Sequence, residues 1–480
     1  MKDARVHVRV RRPWLRLGGV VGVTCLLAGC GGDARDEGEA PDSGAPAPAA
    51  CVVSDAFGDL TAAVTEVPTV VRVSWAGTPP PGAVRIRFDD GVRARFTPVV
   101  EGDRQDALLI GLGALRTVSW TIESDDGVTR RCSPTQTVQT GALDPRLPER
   151  VVSGVDPSGN WAATSILTQS DAFAVVLDED GRVVWARHMG EDPPRGPFRV
   201  ALARSGDALL TGTTSFEVSD QAVVERIGWD GVVQSEVRVR GGHTDFVELP
   251  DGSIAMLGWD LRPFSGERFL LGDTLVIVQP DGTARSIWSS YDAVTPDLSR
   301  RYDSGFYRAD PRVEDWSHAN GISFADAEGA FYVTMRGLNV LARIDADGST
   351  DWTAGGPGAG IPTDLLDNPH SVELQEDGSY LVFNAMKEAC SSVQRLRVDP
   401  TARQVTSEGV YQGTECLNVY LFGDARVETG GHVRVAWSSA GRIETFDAAG
   451  TSLQRIDLGV GSIFGFIDTF PPPTPAADDD

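Results

Sequence analysis

Residues 241–257 read GGHTDFVELPDGSIAML: a histidine, a short alternating run, a Pro-Asp-Gly turn and a second apolar run. Asp-Gly supplies the positive φ of a tight hairpin, and the flanking alternation is that of half-buried strands. The unit recurs. First turns stand at DPSGNW (from 156), ARSGDALL (203), LPDGSIAML (249), DAEGAFYV (326), QEDGSYLVF (375) and ETGGHVRVA (428). Second turns stand at LDEDGRVVW (177), GWDGVVQ (228), QPDGTARSIW (279), IDADGSTDW (344) and FDAAGTSLQ (446). First turns spaced mostly about 45 to 55 residues apart suit four-stranded propeller blades. Six of them predict a six-bladed β-propeller over 143–472. The third gap is longer, roughly 77 residues. Its surplus (289–314) leads straight into Asp315-Trp316-Ser317-His318, as a functional rim or lid would. No long amphipathic helix and no glycine-rich nucleotide loop are evident.

Residues 51–142 lack this rhythm. Their alternating strands (TVVRVSWA, AVRIRFDDGVRARFTPVV, ALLIGLGALRTVSWTIESDD) suit a small antiparallel β-sandwich of immunoglobulin or fibronectin III kind. The fold class expected is therefore all-β: a sandwich, a linker at 143–148, a propeller and a disordered tail at 473–480.

Residues 1–29 carry a basic stretch (Arg5, Arg9, Arg11, Arg12 and Arg16) that runs into an apolar one, Leu15 to Leu27, and Leu27-Ala28-Gly29-Cys30 follows. That is a secretory signal whose apolar part is too short for a comfortable membrane span. Leu-Ala-Gly-Cys resembles the bacterial lipobox, which implies a lipid on Cys30. Residues 30–50, rich in Gly, Ala, Pro and acids, read as a flexible tether. Gly31 after the lipidated residue favours the outer membrane. The expected location is thus the cell envelope, with membrane contact through the lipid alone. Of the six cysteines, Cys51, Cys132, Cys390 and Cys416 remain for oxidation in an exported protein. Pairing 51 with 132 and 390 with 416 is the simplest of three possibilities; the second pair would face each other across a hairpin turning near Pro400. No CxxC spacing suggests a metal.

The formal net charge is −25. Loss of 1–29 removes six basic and one acidic residue and takes it to about −30. Such a surface repels nucleic acid and anionic membranes, so no nucleic-acid partner is expected.

Three of six histidines share one place in the repeat: His243, His318 and His370 each stand just before a strand that runs into an Asp-Gly or Glu-Gly turn. His7 lies in the targeting segment, His188 follows a strand and His432 sits in a hairpin. Repeats that close into a ring bring equivalent positions together. Three readings follow. On the first, the imidazoles are structural bonds between blades, as in other propellers. On the second, they hold zinc or copper with an open position, with Asp245, Asp315 and Asp367 orienting the rings; Arg336, expected beside them, would repel that metal. Or one attacks an anionic group as a neutral nucleophile while the Arg336 fork neutralises its oxygens. No metal and no cofactor is expected on this last reading.

The combination GGHTD, DWSHANGI with FYVTMRGLNVLARID and DWTAGG, and DNPHSVEL with GSYLVFNA resembles the bacterial arylsulfotransferases over most of 150–450. The most specific stretch is Asp315-Trp316-Ser317-His318-Ala319-Asn320 followed by Met335-Arg336. The resemblance implies a secreted six-bladed propeller moving a sulfuryl group from an aryl sulfate donor to a phenolic acceptor without a nucleotide sulfate. It implies transient sulfation of His370, with His243, His318 and Arg336 gripping the sulfuryl group, and Asp245, Asp315, Asn320 and Asp367 supporting them. The chain departs from the family at His243-Thr244-Asp245, Gly337-Leu338-Asn339 and Phe383-Asn384-Ala385. A divergent relative that keeps the propeller as a non-catalytic binding or scaffold module is the alternative.

Overall fold

The computed structural model describes residues 51–190, 196–214, 221–297, 299–302, 310–385 and 390–474. Residues 1–50, with the signal, Cys30 and the tether, lie outside them. The described chain is nearly all β. Among the described residues the one α-helix is Ser290–Ala293, and no helix is long and apolar enough to cross a membrane.

Six sheets follow one another from residue 150 onward, each of four or five strands. Their first strands pack side by side in order: Arg199–Leu202, Gly242–Glu248, Ala319–Ala325, Pro369–Leu374, Asp424–Val427 and Ile463–Phe470, the last returning to Arg199–Leu202. The arrangement is propeller-like. Carboxylates fasten successive sheets, because a first-strand N–H facing its neighbour needs an acceptor. Asp245 accepts from Ile322 N at 3.0 Å, Glu373 from Val427 N at 3.0 Å, Asp424 from Ile467 N at 3.1 Å and Asp468 from Leu202 N at 2.9 Å. Arg199, buried on the axis, neutralises two of these acids, Asp245 and Asp424.

Five of the six first turns join the first two strands of a sheet. DPSGNW does not. It connects Arg150–Gly154, the outer strand of the last sheet, to Trp161–Leu167 of the first sheet, whose innermost strand is Ile463–Phe470. Both chain ends thus enter neighbouring sheets out of sequence order, a pairing that local turn chemistry does not encode. Arg434, buried on the strand Val433–Trp437, ties this seam: it pairs with Asp156 of the DPSGNW turn and lies 3.0 Å from Glu428.

Residues 51–142 form two sheets. One contains Ala83–Asp89 and Thr117–Asp125, the other Leu60–Val64, Val71–Trp75 and Asp106–Leu109. Alternate residues of each (Val71, Val73, Trp75; Ile86, Phe88; Val118, Trp120, Ile122) fill the core between them. The unit is not separate from the repeats. Thr69 Oγ1 donates to Val184 O at 2.7 Å, Arg95 meets Glu179 at 2.7 Å, and Val67, Val70 and Ile110 share a core with Trp161 and Trp185. Thr474, expected in the tail, is buried, and its carbonyl accepts from Arg95 at 3.2 Å. The linker is likewise packed, with Leu143 and Leu147 against the first and last sheets. Both disulfides, Cys51–Cys132 and Cys390–Cys416, are present. The second closes the open end of the hairpin Ser392–Asp399 and Gln404–Gln412.

Candidate functional site

The site is made where the first strands begin. One left-handed residue stands at or just before the start of four of them: Thr244, His318, Asn368 and Phe422, with φ between 48° and 57°. The pairing shifts register at Gly242/Phe246, Ala319/Gly321 and Pro369/Ser371. Such bulges re-aim side chains out of the pleat. Here they set His370 against Asn320 of the fourth sheet and His318 against Asp315 and Arg336.

His370 is buried on the fifth sheet. Its Nδ1 lies 3.3 Å from Asn320 Nδ2, the amide donor, across the gap from the fourth sheet. Its Nε2 is buried without a hydrogen-bond partner among the described residues. Burial, then the Arg336 guanidinium, then His318 push its pKa well below the ordinary 6.5. The ring is therefore neutral at neutral pH, with an unengaged nitrogen in a positively biased pocket. Gly321 lets the two sheets come this close: a Cβ there would stand 2.6 Å from His370 O.

His318 is oriented by Asp315, whose carboxylate meets Nδ1. Its Nε2 faces Arg336 Nη1 at 3.4 Å. Arg336 begins the 3-10 turn Arg336–Leu338 between the second and third strands of the fourth sheet. Two backbone bonds staple that turn to the histidine segment, Arg336 N to His318 O at 3.0 Å and Gly337 N to Ser317 O at 2.9 Å. A Cβ on Gly337 would stand 2.4 Å from Trp316 O, so glycine is what lets the turn lie this close to the histidine segment. Arg336 Nε is buried with no hydrogen-bond partner among the described residues.

His243 is held differently. It stacks on Trp259 with ring centroids 3.6 Å apart, its Nδ1 meets Thr244 Oγ1 at 2.9 Å, and its Nε2 lies 3.0 Å from Asp273 Oδ1, off the line of a hydrogen bond. Asp273 is the link to the fourth sheet, since its other oxygen accepts from Ser317 Oγ and from Ala319 N. No described contact joins His243 to His370. The expected supporting acids divide. Asp315 orients His318. Asp245 bonds Arg199 and backbone of the third and fourth sheets, and Asp367 bonds Asn368 Nδ2 at 2.6 Å. Asn384 clasps the Asp367 segment, with Oδ1 accepting from Asp367 N and Nδ2 donating to Leu365 O. His188 lies inside the strand Val183–Gly190, bonded to Asp171, rather than after it.

The surplus of the third gap builds this support. Val313–Asp315 adds a parallel strand to Arg268–Val278, carrying Asp315 into place, and Tyr291 stacks on Trp316 at 4.5 Å. Asp273, Arg199 and Trp259 were not singled out from sequence. Asp273 lies in the third strand of its repeat, remote from every histidine in the chain, and only the pairing Gly258 with Thr274 and Trp259 with Asp273 brings it there. Among the described residues no three His, Cys, Asp or Glu converge as metal ligands.

A buried neutral imidazole beside a guanidinium, with a second, carboxylate-held imidazole 3.4 Å from that guanidinium, is equipped to receive an anionic group and exchange it. Residues 160–368 match the arylsulfotransferase (ASST) family. The matched segment includes His243, His318 and Arg336 and stops two residues short of His370. No curated protein matches the chain. Among solved structures it is similar to a protein from Lactobacillus plantarum (14% identity, 62% of this chain and 82% of that one, TM-score 0.38). It is also similar to a luciferin-regenerating enzyme (10%, 66% and 97%, 0.36) and an apocarotenoid oxygenase from Synechocystis (11%, 86% and 95%, 0.31). At these scores none of the three bears on activity.

Proposed function

On that family match, we propose that the chain is a nucleotide-independent arylsulfotransferase that works through sulfated His370, on a six-bladed propeller with an immunoglobulin-like sandwich at its N-terminal side. The observation that carries the reading is the partnering of the imidazoles. His243 and His318 each stand beside a carboxylate, whereas His370 stands beside a neutral amide and keeps Nε2 unengaged. In the first half-reaction Nε2 attacks sulfur, the S–O bond to the aryl group breaks, and the phenolate leaves with the electron pair beside Arg336. In the second, an incoming phenol gives its proton to His318 Nε2 and attacks the same sulfur. The N–S electron pair then returns to His370, and His318 releases the phenol's proton to solvent, from which the phenolate released in the first half-reaction takes up its own. Sulfuryl transfer, like phosphoryl transfer, needs mainly positioning and charge neutralisation. His243 would meet the sulfuryl group from the third sheet. Export, with a lipid on Cys30 at the outer membrane, is part of the proposal; two disulfides suit an oxidising compartment.

The test is turnover of a chromogenic aryl sulfate with and without added phenol. Release that requires phenol supports transfer. Release without phenol means a sulfatase, and silence with ligand still bound means a binding module.

Attack through Nε2 requires the proton on Nδ1, with the Asn320 amide oxygen turned to accept it. Asn320→Leu is expected to lower kcat by about 10- to 100-fold, the usual cost of losing an orienting partner. Asn320→Asp should keep more activity and move the acid limb of the rate to higher pH, since a carboxylate favours the charged ring. A pH profile identical in both variants would count against the orienting role.

The lowered pKa of His370 also fixes a sign. A depressed base stays unprotonated to lower pH, so single-turnover transfer to the enzyme should hold its pH 8 level through the ordinary imidazole value of 6.5. Half-loss already at about pH 6.5 would mean the attacking group is an ordinary, solvated histidine.

A further inference from the structure

The first strands of the six sheets differ in what they carry at the site end. Those of the third, fourth and fifth sheets carry His243, His318 and His370. The other three carry Phe198, Phe422 and Phe466, at or near the start of Arg199–Leu202, Asp424–Val427 and Ile463–Phe470. These three rings form one cluster: Phe198 and Phe422 are 4.5 Å apart, Phe422 and Phe466 5.6 Å, with Leu167 and Ala172 in the same cluster. Phe466 is fully buried over Arg199, while Phe198 and Phe422 each keep 8% of their surface exposed. The cluster adjoins His370 through one ring. Gly423, next to Phe422, lies on Phe383, where a Cβ would stand 2.2 Å from the ring, and Phe383 meets His370 edge-on at 6.4 Å.

The apolar surface continues outward along the same segment. Leu421 is 42% and Tyr420 63% exposed, yet the segment is held firmly. Tyr420 N donates to Ser439 Oγ at 3.0 Å, Val419 N to Ser391 Oγ at 2.8 Å and Ser391 N to Leu417 O at 2.7 Å, beside the Cys390–Cys416 disulfide. Two exposed apolar side chains on a fastened segment, next in sequence to Phe422, are positioned to extend its apolar surface.

An aryl sulfate is itself two-sided: oxygens that want a guanidinium and, one bond away, a ring that wants apolar or aromatic walls. The ring of first strands is divided in the same way. We propose that Phe198 and Phe422, extended by Leu421 and Tyr420, receive the aryl ring of donor and acceptor while the histidine half holds the sulfuryl group. This rests on the sulfuryl-transfer reading. Rings stacked or edge-on at this wall are selected by flat apolar area, so larger phenols are the preferred class.

The test uses the full chain, with calorimetric titration of 2-naphthol and kinetics of 4-nitrophenyl sulfate with phenol. Phe422→Leu keeps apolar volume and loses the ring; the double variant Tyr420→Ser, Leu421→Ser alters only the exposed rim. Each is expected to raise both the 2-naphthol Kd and the aryl sulfate KM, tenfold or more for Phe422→Leu and threefold or more for the double variant. Transfer with unchanged KM and Kd in both variants overturns the wall and leaves the function standing. Naphthol binding that depends on Phe422 and Tyr420 in a chain that transfers no sulfuryl group upholds the wall and overturns the function. A wild-type chain that does not bind 2-naphthol overturns the wall.

Discussion

Replacing His370 by alanine is expected to lower sulfuryl transfer by about 10⁴-fold or more, the scale of losing a covalent nucleophile. Stability should change by no more than about 1–2 kcal/mol. The two halves of this expectation have separate grounds. His370 Nε2 makes no hydrogen bond among the described residues, so removing it breaks no fastening there. What is lost is one bond to Asn320 and an edge contact with Phe383. The chemistry has no substitute nearby: His318 is committed to Asp315 and Arg336, and His243 to Trp259, Thr244 and Asp273. Steady-state kinetics and a thermal melt on the same preparation check it. Turnover within tenfold of wild type, or a melt lowered as much as by a core cavity, would return the histidines to a structural role.

Arg434→Met is expected to destabilise the repeat body by about 3–5 kcal/mol, the cost of removing one member of a buried polar cluster and leaving the Asp156 carboxylate dry and unpaired; burial pushes Glu428 up to about 8, so its carboxyl is the lesser part of that cost. Arg434 is 1% exposed and lies between Asp156 and Glu428, whose side chains are fully buried. Ser158 adds a bond to Glu428 at 3.1 Å, and Arg434 itself donates to Asn160 O at 3.4 Å. All these partners except Glu428 belong to the segment that leads into the first sheet, and Arg434 belongs to the last. The cluster therefore holds the seam where the ring is not closed by chain continuity. Urea unfolding measures the loss. A change below about 1 kcal/mol would mean the seam is held by the strand pairing alone. Replacing Asp156 by Asn together with Arg434→Met should recover part of the loss, because the unpaired charge goes with it.

The local grammar of the fold was legible in the sequence. Asp-Gly and its variants placed five first-strand hairpins and the second hairpins correctly, because a residue at positive φ is a local demand. The sixth, DPSGNW, has the same chemistry but joins different sheets; what it pairs with is decided by residues some 300 positions away, Arg150–Gly154 with Ser452–Leu458 and Trp161–Leu167 with Ile463–Phe470. The site shows the same division. Asp315 three residues before His318 could be read from spacing, since both sit on one short segment. Asp367 has the same spacing from His370 and does not orient it; the partner is Asn320, on the neighbouring sheet. Asp245 proved to be a fastening between sheets, and Asp273, unremarked in sequence, stands beside His243 and holds the two residues that flank His318. Phe198, Phe422 and Phe466 carried no signal in the sequence; only the packing of the first strands brings their rings together.

The most direct measurement is peptide mass spectrometry of the chain after incubation with an aryl sulfate in the absence of phenol. One sulfuryl group on His370, stable until phenol is added and then lost as the aryl sulfate product appears, is the predicted result. Transfer that proceeds with His370 unmodified at every time point, or with the sulfuryl group on another residue, would contradict it.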